Sequence, residues 1–402
     1  MWTTVIRKLF TFKGYVVDKV SVNDTAAQID LRRDHRMKAS CPTCGRPLQR
    51  GRQLWQMARD LPWGPMRWVF VRYEVFQGYC TACRRHVTLH PEEIVPHAQA
   101  TARLKALVSR LCRFMPLSHI QDVVPVSAAT AYRWDKAHLE KTLAPPSLDG
   151  VRVLLIDEKA VRKHYGYVTL VMNGETGELL HWAEGKKKES LEPFFEQLSE
   201  EQKRGITAVA IDRNGAYYHV VRQKIPQAAV VYDKFHLLQN YHKVLDRIRN
   251  AEYRKASAED QKVIKGQRFN LYRNPENLSP EQAQDLQALL RLNENLSTAY
   301  VLKDALKRLW TYHYPACALK YLTKWVQWAR ESAIPVLVQF AEGLWRDRHE
   351  IIAYCRHPIT TGRLEGFNNT ISRFIHRACG VRDLNYFFLK VRQESLSEAL
   401  QT

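Results

Sequence analysis

The sequence lacks any apolar run approaching the roughly 18 residues that a membrane-spanning helix needs. Its first stretch, MWTTVIRKLFTFKGYVV, is interrupted by Arg7, Lys8 and Lys13, which excludes the unbroken apolar segment of an export signal. Internal repeats and low-complexity tracts are absent too, so solenoid and fibrous architectures drop out. With 45% hydrophobic residues in 402, the chain can fill the cores of two to four domains. A cytoplasmic, globular protein is expected.

Acidic residues are also scarce. Asp and Glu number 41 against 61 Lys and Arg, a formal charge of +20, with the basic residues spread over the whole length. Such an excess attracts polyanions, of which nucleic acid is the commonest, although a generally basic or ribosome-associated protein has the same balance.

Of the eight cysteines, four fall in two CxxC pairs, CPTC (Cys41, Cys44) and CTAC (Cys80, Cys83), and Cys112, Cys317, Cys355 and Cys379 are scattered. Each CxxC turn can deliver two thiolates to one ion, so four of them suit one tetrahedral structural Zn2+. Free thiols or a redox pair are the alternative. A closed set of four cysteines leaves no open coordination position, so the zinc would hold a fold and do no chemistry. His86 and His90 lie nearby but are not needed as ligands.

Residues 1–95 read as a β-rich zinc-binding module, with a hairpin folding out between the two knuckles. Residues 96–145 read as three helices with a tight turn before the third, a helix-turn-helix. Ser127 would cap the third helix, and Ser127, Thr130, Arg133 and Lys136 lie along or near its exposed early turns as candidate DNA contacts. Pro125 stands where such turns more often carry Gly, and many helical hairpins bind no DNA. APPSLDG is a linker, and residues 146–245 carry strands in a meander and then in alternation with helices, a mixed α/β core. Residues 246–349 read as an all-helical insertion, whose Trp310, Trp325, Trp328 and Trp345 are expected in its core, and 350–402 as the last helical part of the α/β core. The expected fold class is therefore multidomain α+β.

Two strands end in Asp, VRVLLID at Asp157 and ITAVAID at Asp212. Either alone is as well explained as a cap or turn former. Together, two carboxylates converging at low dielectric need a cation, and hard oxygen ligands select Mg2+ or Mn2+. In TTGRLEGFNNTISRFIHRACG, helical periodicity puts Leu364, Phe367, Ile371, Phe374, Ile375 and Ala378 on one side, and Glu365, Asn368, Asn369, Ser372 and His376 on the other. A solvated face usually carries more Lys and Glu, so Glu365 becomes a third candidate ligand. Three carboxylates could hold two metal ions, one at the attacking and one at the leaving oxygen. In YDKFHLLQN, Asp233 and His236 are a cap and a core histidine or, near two metal-binding Asp, a pair that supports the metal shell or orients DNA.

In this order the blocks LLIDEKAVRKHYGYVTLV, VAIDRNGAYYHVVRQKIPQAAVVYDKFHLLQN and TTGRLEGFNNTISRFIHRACGVRDLNYF, behind CxxC pairs and a helix-turn-helix, resemble the ISL3 family of bacterial insertion-sequence transposases. The resemblance covers nearly the whole chain. It implies an RNase H-like catalytic core interrupted by the helical insertion, with Asp157, Asp212 and Glu365 as a catalytic Asp-Asp-Glu triad holding two Mg2+ or Mn2+. DKFH is similar to a signature shared with Mutator and hAT transposases, which would give Asp233 and His236 that role. The implied reaction is hydrolysis of DNA at each transposon end, then attack of the exposed 3′ hydroxyl on target DNA. The implied partners are double-stranded DNA, inverted repeats and target, with a homodimer or larger assembly on it, and the implied location is the bacterial nucleoid. Asn368, Asn369 and Ser372 could approach DNA or support the metal shell, and Arg373, Arg377 and His376 could meet phosphates. A transposase-derived DNA-binding regulator and an RNase H-like nuclease without strand joining are the competing readings.

Overall fold

A computed structural model describes residues 11–95, 97, 99–162, 166–359, 362–378 and 382–399; Arg7, Lys8 and Cys379, named above, lie outside them. The chain forms two compact units, the first from residues up to 144 together with 376–390, the second from 145–375 and 391 onward.

In the first unit a sheet runs in the order β1-β2-β4-β3-β7-β6, with β5 paired to β4. Its strands are β1 (Tyr15–Val22), β2 (Ala26–Arg33), β3 (Gln49–Asp60), β4 (Trp68–Cys80), β5 (Arg85–Leu89), β6 (Ile94–Val95) and β7 (Ala100–Thr101). Strict alternation in WVFVRYEVF buries Val69, Val71, Tyr73 and Val75 on one side of β4, where Ile29, Leu31, Val17 and Ala58 complete a core. β3 and β4 form the hairpin expected between the two CxxC turns.

Three helices follow: α1 (Ala102–Phe114), the short α2 (Ile120–Val123) and α3 (Ala128–Thr142). Buried Asp60 at the end of β3 ties them to the sheet, accepting from Thr101 Oγ1 at 2.6 Å and Arg103 Nε at 2.7 Å. Thr101 also caps α1, and Ser127 caps α3 by accepting from the Thr130 amide at 3.3 Å. Leu104, Val108, Ile120, Val124, Val126 and Ala131 pack these helices around a core of their own.

In the second unit the sheet order is β10-β9-β8-β11-β12. β8 (Val153–Arg162), β9 (Gly166–Asn173) and β10 (Leu179–Glu184) are an antiparallel meander; β11 (Ala208–Ile211) and β12 (Ala229–Tyr232) run parallel to β8. β8 is central, so Leu154, Leu155 and Ile156 are all buried and its two faces do not differ. The stretch SLEPFFEQLSEEQKR lies in two helices, α4 (Lys188–Glu196) and α5 (Glu200–Gly205), because Ser199 and Gln202 form a capping box that starts the second afresh. Next come α6 (Gly215–Lys224) and α7 (Lys234–Lys255).

The segment after α7 is helical among the described residues: α8 (Ala258–Ile264), α9 (Arg268–Tyr272), α10 (Pro280–Leu292), α11 (Glu294–Lys307), α12 (Pro315–Glu331), α13 (Pro335–Arg346) and α14 (Arg348–Ile352). These helices share one continuous apolar cluster with the sheet, from Val151 and Ile211 through Tyr241 to Leu337 and Ile352. Trp325 is fully buried with its Nε1 donating to the Leu302 carbonyl at 2.9 Å, Trp310 is buried and Trp345 packs against the cluster. Trp328 departs from the expectation: it lies on the outer side of α12, 44% exposed. α15 (Gly362–Arg377) buries Leu364, Phe367, Ile371 and Phe374, as its periodicity predicts, and α16 (Leu384–Ala399) follows. No described helix is long and apolar enough to cross a membrane.

Candidate active site and metal centre

β8 and β11 are adjacent and parallel in register, Ile156 opposite Ile211, and an Asp follows each of these residues. Asp212 leaves the end of β11, whereas Asp157, contrary to the pattern, does not end its strand: β8 runs on to Arg162, held by its pairing with β9. Asp157 is buried, and its Oδ1 accepts from the Glu158 amide at 2.7 Å. Asp212 is half-exposed, with its Oδ1 accepting from the Arg213 amide at 2.6 Å. β12 ends beside β11, and Asp233, which follows it, caps α7 by accepting from the Phe235 amide at 2.9 Å. One turn into α7, His236 Nδ1 lies 2.9 Å from Asp233 Oδ2 and 3.9 Å from Asp212 Oδ1. Asp157, Asp212, Asp233 and His236 line one small cavity, closed on a further side by Leu364 of α15.

Burial raises the Asp157 carboxyl above its ordinary value, and the charge of Asp212 adds to the rise, while the Glu158 amide, Asn368 and His236 oppose it. The hydrogen bond to Asp233 pushes the His236 imidazole up to about 9 against its burial, so the ring is a cation at neutral pH. A cluster of three acids thus carries one resident positive charge. The oxygen donors, and an Asp whose ionisation is resisted by burial and by a neighbouring carboxylate, suit a hard divalent cation.

α15 brings its polar face to the same place. Asn368 Nδ2 donates to Asp157 Oδ2 at 2.7 Å, and Ser372 Oγ donates to the Asn368 carbonyl at 2.9 Å. Glu365 is one turn before Asn368, on the same helix, and solvent-exposed. Its carboxylate is not gathered with those of Asp157 and Asp212: among the described residues, the only three or more His, Cys, Asp or Glu ligand atoms within 4.8 Å of one another are the four cysteines. Asn369 is exposed, and exposed Arg373 donates to Thr370 Oγ1 at 2.8 Å. Arg377, at the end of α15, belongs to the first unit with the strip 376–390.

Glu158, the next residue of β8, lies by strand alternation on the face opposite Asp157 and outside that cavity, close enough for their charges to interact. It is half-buried, 3.5 Å from Asn214 Nδ2 and 3.9 Å from Lys186 Nζ, and burial raises its carboxyl, with Asp157 and Asp212 adding to the rise. The signals were adjacency alone: Glu158 follows Asp157, and Asn214 comes two residues after Asp212 and caps α6.

The four cysteines form the second site. Cys41 Sγ lies 3.9 Å from Cys83 Sγ and Cys44 Sγ 3.5 Å from Cys80 Sγ. A tetrahedral ion about 2.3 Å from each sulfur sets the sulfurs about 3.8 Å apart, so the set fits zinc. Each CxxC turn closes with a left-handed residue directly after its second cysteine, Gly45 at φ 72° and Arg84 at φ 51°. The Gly45 amide donates to the Cys41 carbonyl at 2.8 Å and the Cys83 amide to Cys80 Sγ at 3.4 Å. Amides of Thr43 and Cys44 lower the Cys41 thiol to about 6, whereas hydrogen bonding to Cys44 and burial push Cys83 up to about 12.

On α3 the exposed residues are Ala129, Arg133, Ala137, His138 and the last three, Glu140, Lys141 and Thr142, with Ser127 exposed at its cap and Thr130 half-buried. Lys136 is not free: its Nζ donates to Asp383 Oδ2 at 2.7 Å, and Tyr132 OH donates to the same oxygen at 2.5 Å. Beneath them, fully buried Asp135 accepts from Tyr386 OH at 2.7 Å and Lys390 Nζ at 3.0 Å.

Residues 154–391 match the family model described as Transposase. The chain is 37% identical over 299 residues, 74% of its own length and 74% of the relative's, to a transposase for insertion sequence element IS1001 from Bordetella parapertussis. To the transposase for IS1557 from Mycobacterium tuberculosis it is 27% identical over 372 residues, 85% of this chain and 82% of that one. The matched segment includes Asp157, Asp212, Asp233, His236 and Glu365.

Proposed function

The chain belongs to the ISL3 family of insertion-sequence transposases, and from that premise we propose that it binds the terminal inverted repeats of its own element, cleaves DNA at their ends and joins the 3′ ends to target DNA. The observation that carries the reading is the middle of β8: Asp157 is buried beside Asp212 and held by Asn368 from the helix that bears Glu365.

In the first step a water oxygen forms a bond to the phosphorus at the transposon end, and the bond to the 3′ oxygen breaks, leaving a 3′ hydroxyl. In the second, that hydroxyl oxygen bonds to a target phosphorus and displaces the target's 3′ oxygen, so the number of phosphodiesters is conserved. Asp157, Asp212 and Glu365 would hold two Mg2+ or Mn2+, which supply the charge that activates the attacking oxygen and stabilises the leaving one. Asn368 keeps the Asp157 carboxylate in one orientation. The His236 imidazolium, oriented by Asp233, offsets the negative charge near Asp212 and offers a donor to a phosphate oxygen.

The fold reading rests on the same arrangement. Three antiparallel strands followed by two parallel ones, with an acid in the middle of β8 and another directly after β11 and a third on a late helix, support an RNase H-like core. A Ser127-capped third helix supports a helix-turn-helix whose exposed Ala129 and Arg133 face DNA, with Ser127 and Thr130 at its start. Lys136 would reach phosphate only after leaving Asp383. The divisions at 95, 145, 245 and 349, structural zinc on Cys41, Cys44, Cys80 and Cys83, phosphate contacts from Arg373 and Arg377, DNA approach by Asn369, and a homodimer or larger assembly joining two ends belong to the same proposal. No specific observation favours a non-catalytic regulator or a nuclease without joining.

The test is cleavage of duplex carrying the element's inverted repeats by purified protein with Mg2+. Nicking at the ends, lost in Asp157→Asn and Glu365→Gln with end binding retained, is expected. Undiminished cleavage by either variant would remove that residue from the catalytic set.

A further inference from the structure

The solvent side of the first unit's sheet is the opposite of what a β-sheet normally shows to water. Strand register places Gln53, Trp55, Met57 and Arg59 of β3 on one face with Phe76, Glu74, Arg72, Phe70 and Trp68 of β4, and with Gln28 and Asp30 of β2. The other face is the buried core. On the open face Trp55 is 44% exposed, Met57 48% and Trp68 41%. Trp68 and Phe70 are parallel, with centroids 6.3 Å apart, and the Arg72 guanidinium lies 4.6 Å from the Trp55 ring centroid.

The acids of this face are used up internally. Asp30 is buried, accepting from Gln28 at 2.8 Å and facing Arg72 at 3.6 Å. Glu74 is buried and accepts from the Arg33 amide at 2.8 Å. Exposed Arg32 on the neighbouring strand pairs with Asp18 at 3.7 Å, and exposed Lys19, with exposed Arg50 and Arg52 at the start of β3, leaves the rim cationic.

Flat rings at successive positions of a sheet, interleaved with guanidinium groups and ringed by cations, are the features that bind unpaired bases: rings stack on base faces and cations follow the phosphates. A duplex keeps its base faces inside the stack and offers only groove edges and phosphates, so it cannot use these rings. A second copy of the same face would bring cationic rim against cationic rim.

We propose that this β3–β4 face binds single-stranded DNA, holding a strand unpaired. The inference rests on the reading that the chain acts at DNA ends, and it adds a ligand class and a site. The site is separate from the helix α3 that reads duplex: Arg59 donates to the Pro125 carbonyl at 3.1 Å and Arg67 to that of Gln121, which sets the sheet face next to the turn before α3.

The test uses the full chain, with an oligothymidine of roughly 15 nucleotides as probe and an inverted-repeat duplex measured in parallel. Trp55→Ala and Trp68→Ala each weaken oligothymidine binding about ten-fold, Trp55→Phe restores most of it, and duplex affinity and zinc content stay unchanged. Because both side chains are exposed, folding is not at stake. Oligothymidine affinity that is unchanged in both alanine variants while duplex binding is normal overturns the inference and leaves the proposed function standing. Loss of self-association in place of strand binding also overturns it, in favour of a protein partner. Normal oligothymidine binding with no recognition of the inverted repeats would support the strand site and count against the end-binding reading instead.

Discussion

The four sulfurs and the three carboxylates proposed as catalytic are both ligand sets drawn from distant parts of the chain, yet only the first is gathered to within 4.8 Å. The sulfurs lie within 4.8 Å of one another, whereas Glu365 stays exposed and apart from Asp157 and Asp212. Thiols can be neutral and share protons, as the Cys41 to Cys83 and Cys44 to Cys80 contacts do. Carboxylates at neutral pH repel, so their closing depends on the cation that offsets them. In the proposed reading the sulfur site is a structural staple and the carboxylate site one that a bound cation completes.

Breaking the staple should have the largest effect. Cys44→Ser removes a zinc ligand, and we expect loss of stoichiometric zinc and unfolding of the zinc module at a cost of several kcal/mol, read by metal analysis and by thermal melting. The same removal in the carboxylate set, Asp157→Asn, is expected to leave the melting temperature of the Mg2+-free protein unchanged or higher, since burial already opposes that charge.

Smaller is the effect of the residue that orients Asp157. Asn368→Ala is expected to slow end cleavage about 10- to 100-fold without changing end binding, measured by single-turnover cleavage against a binding titration. Equal losses in both would make Asn368 a DNA contact.

The two sites should also respond to pH with opposite sign. His236 is raised from 6.5 to about 9, so its stabilisation is full below 6.5 and fades as pH climbs through 9. Zinc retention moves the other way, strengthening as pH rises past about 6, where the Cys41 thiolate forms. Denaturation midpoints of Mg2+-free protein between these limits should decline in the parent and flatten in His236→Gln. The smallest change is at Arg84: its left-handed backbone favours glycine, and Arg84→Gly should stabilise the zinc module by up to about 1 kcal/mol in a melting experiment.

The local chemistry of both sites could be read from the sequence, and their long-range partners could not. CxxC spacing, the Asp after β11, a Ser before a helix and a polar stripe at helical period are short-range patterns, and each sits where its pattern put it, whereas Asp157, expected at a strand end, lies within β8 because pairing with β9 extends that strand to Arg162. Asn368 meeting Asp157 joins residues 211 apart, and Tyr132 and Lys136 meeting Asp383 join residues about 250 apart. No periodicity carries such pairings. Glu158 lies on the face opposite Asp157, as strand alternation dictates, and only its partners Asn214 and Lys186 needed the fold to be seen. Trp328 was taken for core because composition does not say which side of an amphipathic helix a tryptophan occupies. The aromatic face of β3 and β4 needed the strand register before its rings could be seen on one side.

The central claim is that Glu365 joins Asp157 and Asp212 around a divalent cation. Its most direct test is to load the DNA-bound protein with Fe2+ in place of Mg2+, generate hydroxyl radicals at the bound ion with peroxide and ascorbate, and map the backbone cuts. We expect cuts clustered beside Asp157, Asp212 and Glu365, all three lost together in Asp157→Asn. Cuts beside Asp157 and Asp212 with none near Glu365 would contradict the claim.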